Sequence, residues 1–240
     1  MFTSSGPSLR SIAAAAATAV ALLGSLGTAQ AQTWPGPNAD GYSAQSIAFN
    51  WRNMAGAPSV VSGDDSFAVA SLPFSFTYAG TSYTSLWVFT NGVVGFDMAN
   101  QGSHCCSGQS TLDRTLAPAM MDWVDTVTGQ TFGAVGSRTY VLQWAGSEFG
   151  SGGSVQMQLA LHEGSNLIEF QYDNLVNNGH SMFVGLGGAD ALGYFATGGT
   201  QIVDAGVQIT TAVPEPTGVM LMAAGLAAVG LVARRRSRRS

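Results

Sequence analysis

Between residues 155 and 162 the chain changes character at every step: Val155, Met157, Leu159 and Leu161 alternate with Gln156, Gln158, Ala160 and His162. A period of two marks a β-strand with one buried face. Gly164-Ser165-Asn166 follows, and then Ile168, Phe170 and Tyr172 alternate with Glu169, Gln171 and Asp173. The two runs predict a hairpin with a short loop. On this reading His162 sits on the outward face of its strand, in solvent. Upstream, residues 72–78 and 84–90 are rich in aromatic and β-forming residues, are separated by Ala79-Gly80, and lead into Asn91-Gly92. That dipeptide readily supplies the positive backbone angles of a tight turn, and residues 93–96 continue as the next strand. Residues 138–144, 180–187, 191–196 and 201–210 have the same character. No window outside the two chain ends has a helical period, so the pattern predicts an all-β fold, an antiparallel β-sandwich.

The ends follow another logic. Arg10 precedes an Ala-rich apolar stretch over residues 12–26, and Ala29-Gln30-Ala31 places small residues where signal peptidase requires them, so a signal peptide over residues 1–31 is expected to be cut before Gln32. At the other end stand Val213-Pro214-Glu215-Pro216, an apolar run over residues 217–233, and Arg234, Arg235, Arg236, Arg238 and Arg239. As a helix the run rises about 25 Å at roughly 1.5 Å per residue, a little short of the roughly 30 Å hydrocarbon core. The arginines hold its end on the cytoplasmic side of the inner membrane. Pro214 and Pro216 disfavour helix in the residues before them, so the preceding segment is extended and accessible.

The order Pro-Glu-Pro, short apolar helix and Arg-rich end resembles the PEP-CTERM sorting signal of Gram-negative bacteria. The resemblance implies recognition of Pro214, Glu215 and Pro216 by an exosortase, a membrane-embedded cysteine transpeptidase. The Arg cluster is then the retention element, and the cargo goes to the cell surface or an extracellular polysaccharide matrix. Three segments result: signal peptide 1–31, a secreted β-sandwich domain 32–212, and a sorting and anchor segment 213–240.

The middle segment is long enough for one domain with one core, and it is Gly-, Ser- and Thr-rich, as secreted β domains often are. Its only cations are Arg52, Arg114 and Arg138, against thirteen carboxylates from Asp40 to Asp204, and the chain has no Lys. Such an acidic domain argues against nucleic acid or anionic polysaccharide bound through bulk charge. Within it Leu72-Pro73-Phe74-Ser75-Phe76, Tyr78 with Gly80, Thr90-Asn91-Gly92, Ala117-Pro118 with Asp122-Trp123-Val124-Asp125, Val141-Leu142-Gln143-Trp144 and Ile168-Glu169-Phe170-Gln171-Tyr172 resemble the nidogen-type extracellular β domain of bacterial surface proteins. That family brings no catalytic residues. Met120-Met121 departs from its pattern, where a bulky aromatic is expected before Asp122.

Candidate chemistry is sparse. His104-Cys105-Cys106 holds the only two cysteines, and neighbouring Cα atoms about 3.8 Å apart lie below the roughly 4.4 Å lower limit usual for a bridge. In an oxidising compartment Cys105 and Cys106 therefore form either a strained vicinal disulfide or a bridge between two chains. His162 and His180 are isolated, which argues against zinc, and no metal or other cofactor is expected. Asp64-Asp65 and Asp122 with Asp125 are each possible oxygen donors to calcium, but no EF-hand or nonapeptide repeat surrounds them, and turn capping accounts for them. No Gly-x-Ser-x-Gly elbow or phosphate loop occurs. Of the five tryptophans, Trp87 and Trp144 sit in strand-like runs that look buried rather than presented to sugars. The expected function is that of a non-enzymatic surface or matrix protein, structural or adhesive, whose partners are signal peptidase, exosortase, the inner membrane before processing, and extracellular polysaccharide. The alternative is a carbohydrate- or calcium-binding extracellular module.

Overall fold

A computed structural model describes residues 34–97, 114–187 and 191–211. These residues form thirteen strands and no helix: β1 (Tyr42–Ile47), β2 (Ser59–Gly63), β3 (Phe67–Tyr78), β4 (Thr81–Phe89), β5 (Val93–Gly95), β6 (Thr115–Met120), β7 (Trp123–Phe132), β8 (Thr139–Glu148), β9 (Ser154–His162), β10 (Ile168–Asn177), β11 (Met182–Gly187), β12 (Leu192–Ala196) and β13 (Thr200–Thr211). A seven-stranded sheet runs β1-β13-β10-β9-β8-β7-β2, and a six-stranded sheet runs β12-β11-β6-β5-β4-β3. Every pairing is antiparallel.

The predicted hairpin is present in register: Ile168 faces Leu161, Phe170 faces Leu159 and Tyr172 faces Met157. Their side chains join Phe76, Leu86, Leu116 and Val184 of the other sheet in one inter-sheet core. Hydrogen bonds from buried aromatics cross it. Trp144 Nε1 donates to Phe89 O at 2.8 Å, and Tyr172 Oη donates to Pro118 O at 2.6 Å. Each large aromatic thus buries its ring without orphaning its polar atom. Met121, where an aromatic is expected, fills the same core, while Met120 faces the other way.

Four strands escape the alternation argument: β1, β2, β6 and β7. In β6 every residue is buried, so no polar face marks it. In β7 the inward positions include Asp125 and Gly129, which break the apolar period.

The outward face of β9 and β10 differs from expectation. Gln158, Ala160 and Gln171 have no exposed surface, because residues 48–58, which connect β1 on one edge to β2 on the other, cross the outside of the seven-stranded sheet. Asn50 N donates to Gln171 Oε1 at 2.8 Å, Arg52 N donates to Gln158 Oε1 at 3.1 Å, and Gln158 Nε2 donates to Arg52 O at 2.7 Å. Met54 then packs on Val141 and Ala160. His162 accordingly is not a free solvent-facing ring: Nε2 lies 3.2 Å from Glu169 Oε2, and Nδ1 lies 3.2 Å from Thr139 Oγ1.

The register also orients the sandwich. Tyr42 pairs with Thr211, Ile168 with Ile209, Thr139 with His162 and Phe132 with Thr139, all at one pole. Trp123 pairs with Glu148 and Asn177 with Thr200 at the far pole. The first strand therefore begins, and the last strand ends, at the same pole.

Candidate functional site

At the far pole four carboxylates come together, those of Asp64, Asp65, Asp122 and Glu148. Asp64 and Asp65 follow β2, with Asp65 at φ +46°, and Asp122 lies between β6 and β7. One oxygen from each of the three falls within 4.8 Å of the others; Asp64 and Asp65 are exposed and Asp122 is buried. Burial raises the Asp122 carboxyl above its ordinary range, and the charges of Asp64 and Asp65 add to the rise.

The β4–β5 turn sets this geometry. Asn91 is buried, donates Nδ2 to Asp65 Oδ1 at 2.7 Å and accepts from Trp123 N on Oδ1 at 3.0 Å. The next residue, Gly92, has φ +72°, and a Cβ there would lie 2.0 Å from Ala119 O. Only glycine accepts both that backbone angle and that approach.

Beside the cluster, Glu148 is wrapped by the 178–180 loop. Its carboxylate accepts from the backbone nitrogens of Asn178 at 2.7 Å, Gly179 at 2.9 Å and His180 at 3.0 Å, and lies 2.8 Å from His180 Nδ1. Burial alone would raise this carboxyl; the backbone donors and the imidazole outweigh it and hold it below its ordinary range. Glu148 thus orients the His180 ring and closes the loop at once.

The sequence grouped these acids differently. Asp122 joins Asp64 and Asp65 and is separated in role from Asp125, which points into the inter-sheet core between Trp123 and Val127. Across the sheet Asp125 is flanked by Gly63 and Gly146, and neither carboxylate oxygen has a hydrogen-bond partner. Burial pushes it up to about 8. Among the described residues the histidines stay apart, His180 at the far pole and His162 on the strapped face, where Glu169 also meets Arg52 Nη2 at 3.1 Å. Trp144 is buried in the core and Trp87 is half-buried on the outer face of the six-stranded sheet.

Chemically, three converging carboxylates are oxygen donors of the kind hard cations take. Exposed acidic turns have the same composition without an ion.

The family model for NIDO-related domains matches residues 41–217, from just before β1 to just past β13. The chain belongs to the NIDO-related family. A second model, the PEP-CTERM protein-sorting motif, matches residues 212–237. No curated protein and no solved structure matches the chain.

This NIDO-related protein therefore ends in the sorting signal expected from Val213-Pro214-Glu215-Pro216, and it is an exosortase-sorted extracellular protein made as a membrane-anchored precursor. The motif itself, the terminal arginines, the signal-cleavage residues Ala29, Ala31 and Gln32, and Cys105 and Cys106 lie outside the described residues. The NIDO-related domain meets the sorting signal at the tail pole, where β13 ends at Thr211, three residues before Pro214. Its acidic cluster is on the opposite pole. Asn91 is the site residue whose role the sequence concealed: it is visible only as a turn former, and its part in tying Asp65 to the Trp123 backbone depends on strand placement.

Proposed function

We propose that this protein is a structural or adhesive component of the cell surface or the extracellular polysaccharide matrix, without catalysis of its own. It is exported behind a signal peptide over residues 1–31 and handed by exosortase from the inner membrane to the outside. The observation that carries the reading is the match of residues 212–237 to the PEP-CTERM protein-sorting motif. The last strand ends at Thr211 at the tail pole, so the acidic cluster lies at the end of the sandwich remote from where the chain runs on to the sorting signal. The inward-facing aromatics and the hydrogen-bonded polar atoms of Trp123, Trp144 and Tyr172 suit a rigid module. Glu148 closes a loop, Glu169 meets Arg52 of the strap, and Asp125 is buried in the core.

A carboxylate cluster alone does not distinguish a cation site from a solvated acidic turn, so the reading rests on the sorting signal rather than on Asp64, Asp65 and Asp122. Deleting residues 214–216 and following the chain by cell fractionation tests it. The expected outcome is retention of an unprocessed precursor in the inner membrane. Processing and release equal to the unaltered chain would refute exosortase-dependent display.

A further inference from the structure

The two sheets divide the charge between them. The six strands of the β12-β11-β6-β5-β4-β3 sheet contain no Asp, Glu, Lys, Arg or His, whereas the other sheet carries Asp125, Glu148, His162, Glu169, Asp173 and Asp204 within its strands. Across the far-pole end of the outer face of the six-stranded sheet runs an apolar row. Phe67 is in register with Phe89, Phe89 with Val93, Met120 with Phe183, and Phe183 with Phe195. The middle of the row is already out of solvent, but its two rims are not: Phe67 is 51% and Val69 52% exposed on edge strand β3, and Phe195 is 56% exposed on edge strand β12. Large apolar side chains on two open sheet edges are avoided in a free monomer unless something covers them.

We propose that two copies of this chain pair through this face while both are tethered in the same membrane. The proposal rests on the anchored precursor described above. Charge favours a second copy: two acidic domains repel wherever carboxylates meet, and the strands of this sheet carry none, Asp64 and Asp65 lying just before the β3 rim. Symmetry favours it too. A two-fold axis parallel to the strands keeps both tails on one side and sets the β3 rim of one copy against the β12 rim of the other, twice. Phe67 and Val69 then meet the partner's Phe195. The rings also tilt against their neighbours, by 44° for Phe67 and Trp87, 39° for Phe67 and Phe89 and 49° for Phe183 and Phe195. Tilted against one another, they do not share the flat platform that a sugar ring stacks on. With three strongly exposed apolar side chains on this face among the described residues of each copy, the pairing is weak in dilute solution. Tethering supplies an effective concentration on the order of millimolar.

The test uses the full chain in cells, as two co-expressed versions with different tags. A photo-crosslinking benzoylphenylalanine replaces Val69 or Phe195, and in a control Val135, 84% exposed in the β7–β8 loop. A crosslinked product carrying both tags is expected from positions 69 and 195 and not from 135, with residues 67–69 of one copy joined to residue 195 of the other by mass spectrometry. Phe195→Glu places a charge on the rim and leaves the inter-sheet core untouched, and it should lower the position-69 product at least tenfold while the chain accumulates normally. Products joined only to other proteins or only to polysaccharide, or no doubly tagged product from membrane-inserted chain, overturn the pairing. The membrane fraction of the same cells reports insertion separately: a chain that never reaches the membrane overturns the anchored reading and the tethered pair together, whereas an inserted but unpaired chain overturns the pair alone.

Discussion

Asp125 is a carboxyl placed in a hydrophobic interior with no hydrogen-bond partner, so Asp125→Asn is the most informative single change. In the folded chain the group holds its proton up to about 8, against an ordinary value of 3.8. Between those values the unfolded chain has lost the proton and the folded chain keeps it, so the folded state binds more protons and stability falls as pH rises. The contribution is fully present below about pH 4. At roughly 1.4 kcal/mol per pH unit, about 4 kcal/mol is gone by pH 7, and the loss levels off above about pH 8. Asparagine has the same shape and polarity and cannot ionise. Asp125→Asn should therefore match the unaltered protein within about 1 kcal/mol near pH 4 and exceed it by about 4 kcal/mol near pH 7. Urea unfolding followed by fluorescence of the buried Trp123 and Trp144 measures this difference at each pH. Parallel stability curves for the two proteins across pH 4 to 8 would show that Asp125 is hydrated or paired in the folded state, and the burial argument would fail.

Other consequences are smaller in scope. Glu148→Ala leaves three loop nitrogens without their acceptor and should destabilise by about 3 kcal/mol in urea unfolding; since this carboxyl is held low, its contribution is present near neutral pH and is lost on acidification through its folded value. Gln158→Leu removes both bonds to Arg52 and the bond to Gln143, and should cost about 2 kcal/mol while speeding amide hydrogen exchange across residues 48–58; unchanged exchange there would mean that Met54 holds the strap by itself. Gly92→Ala drives a methyl into Ala119 O and should lower the unfolding midpoint by the equivalent of 3 kcal/mol, on the order of other forbidden backbone positions, or abolish export of folded protein altogether.

Strand alternation made the β9–β10 hairpin legible because each residue there reports one face of the sheet. It could not reveal what lies over the outer face, and so Gln158 and His162 read as solvent-facing when the strap from β1 to β2 covers or engages them. Only sheet order exposes that geometry, since β1 and β2, close in sequence, occupy opposite edges. The acid cluster was half legible. Asp64 and Asp65 are neighbours in the chain, but Asp122 reaches them through the β4–β5 turn, and its sequence neighbour Asp125 falls on the core side because side chains two and four residues along a strand share the face of Trp123.

By itself the sequence determined the class of fold and the destination: a two-residue period needs no distant partner to be read, and a Pro-Glu-Pro motif with an apolar run and arginines acts as a linear signal. Tertiary structure decided which carboxylates meet, which glutamine is buried, and that one sheet is free of charge on both faces. Those properties arise from pairings between residues far apart in the chain, where a shift of one position in register would turn every side chain to the opposite face.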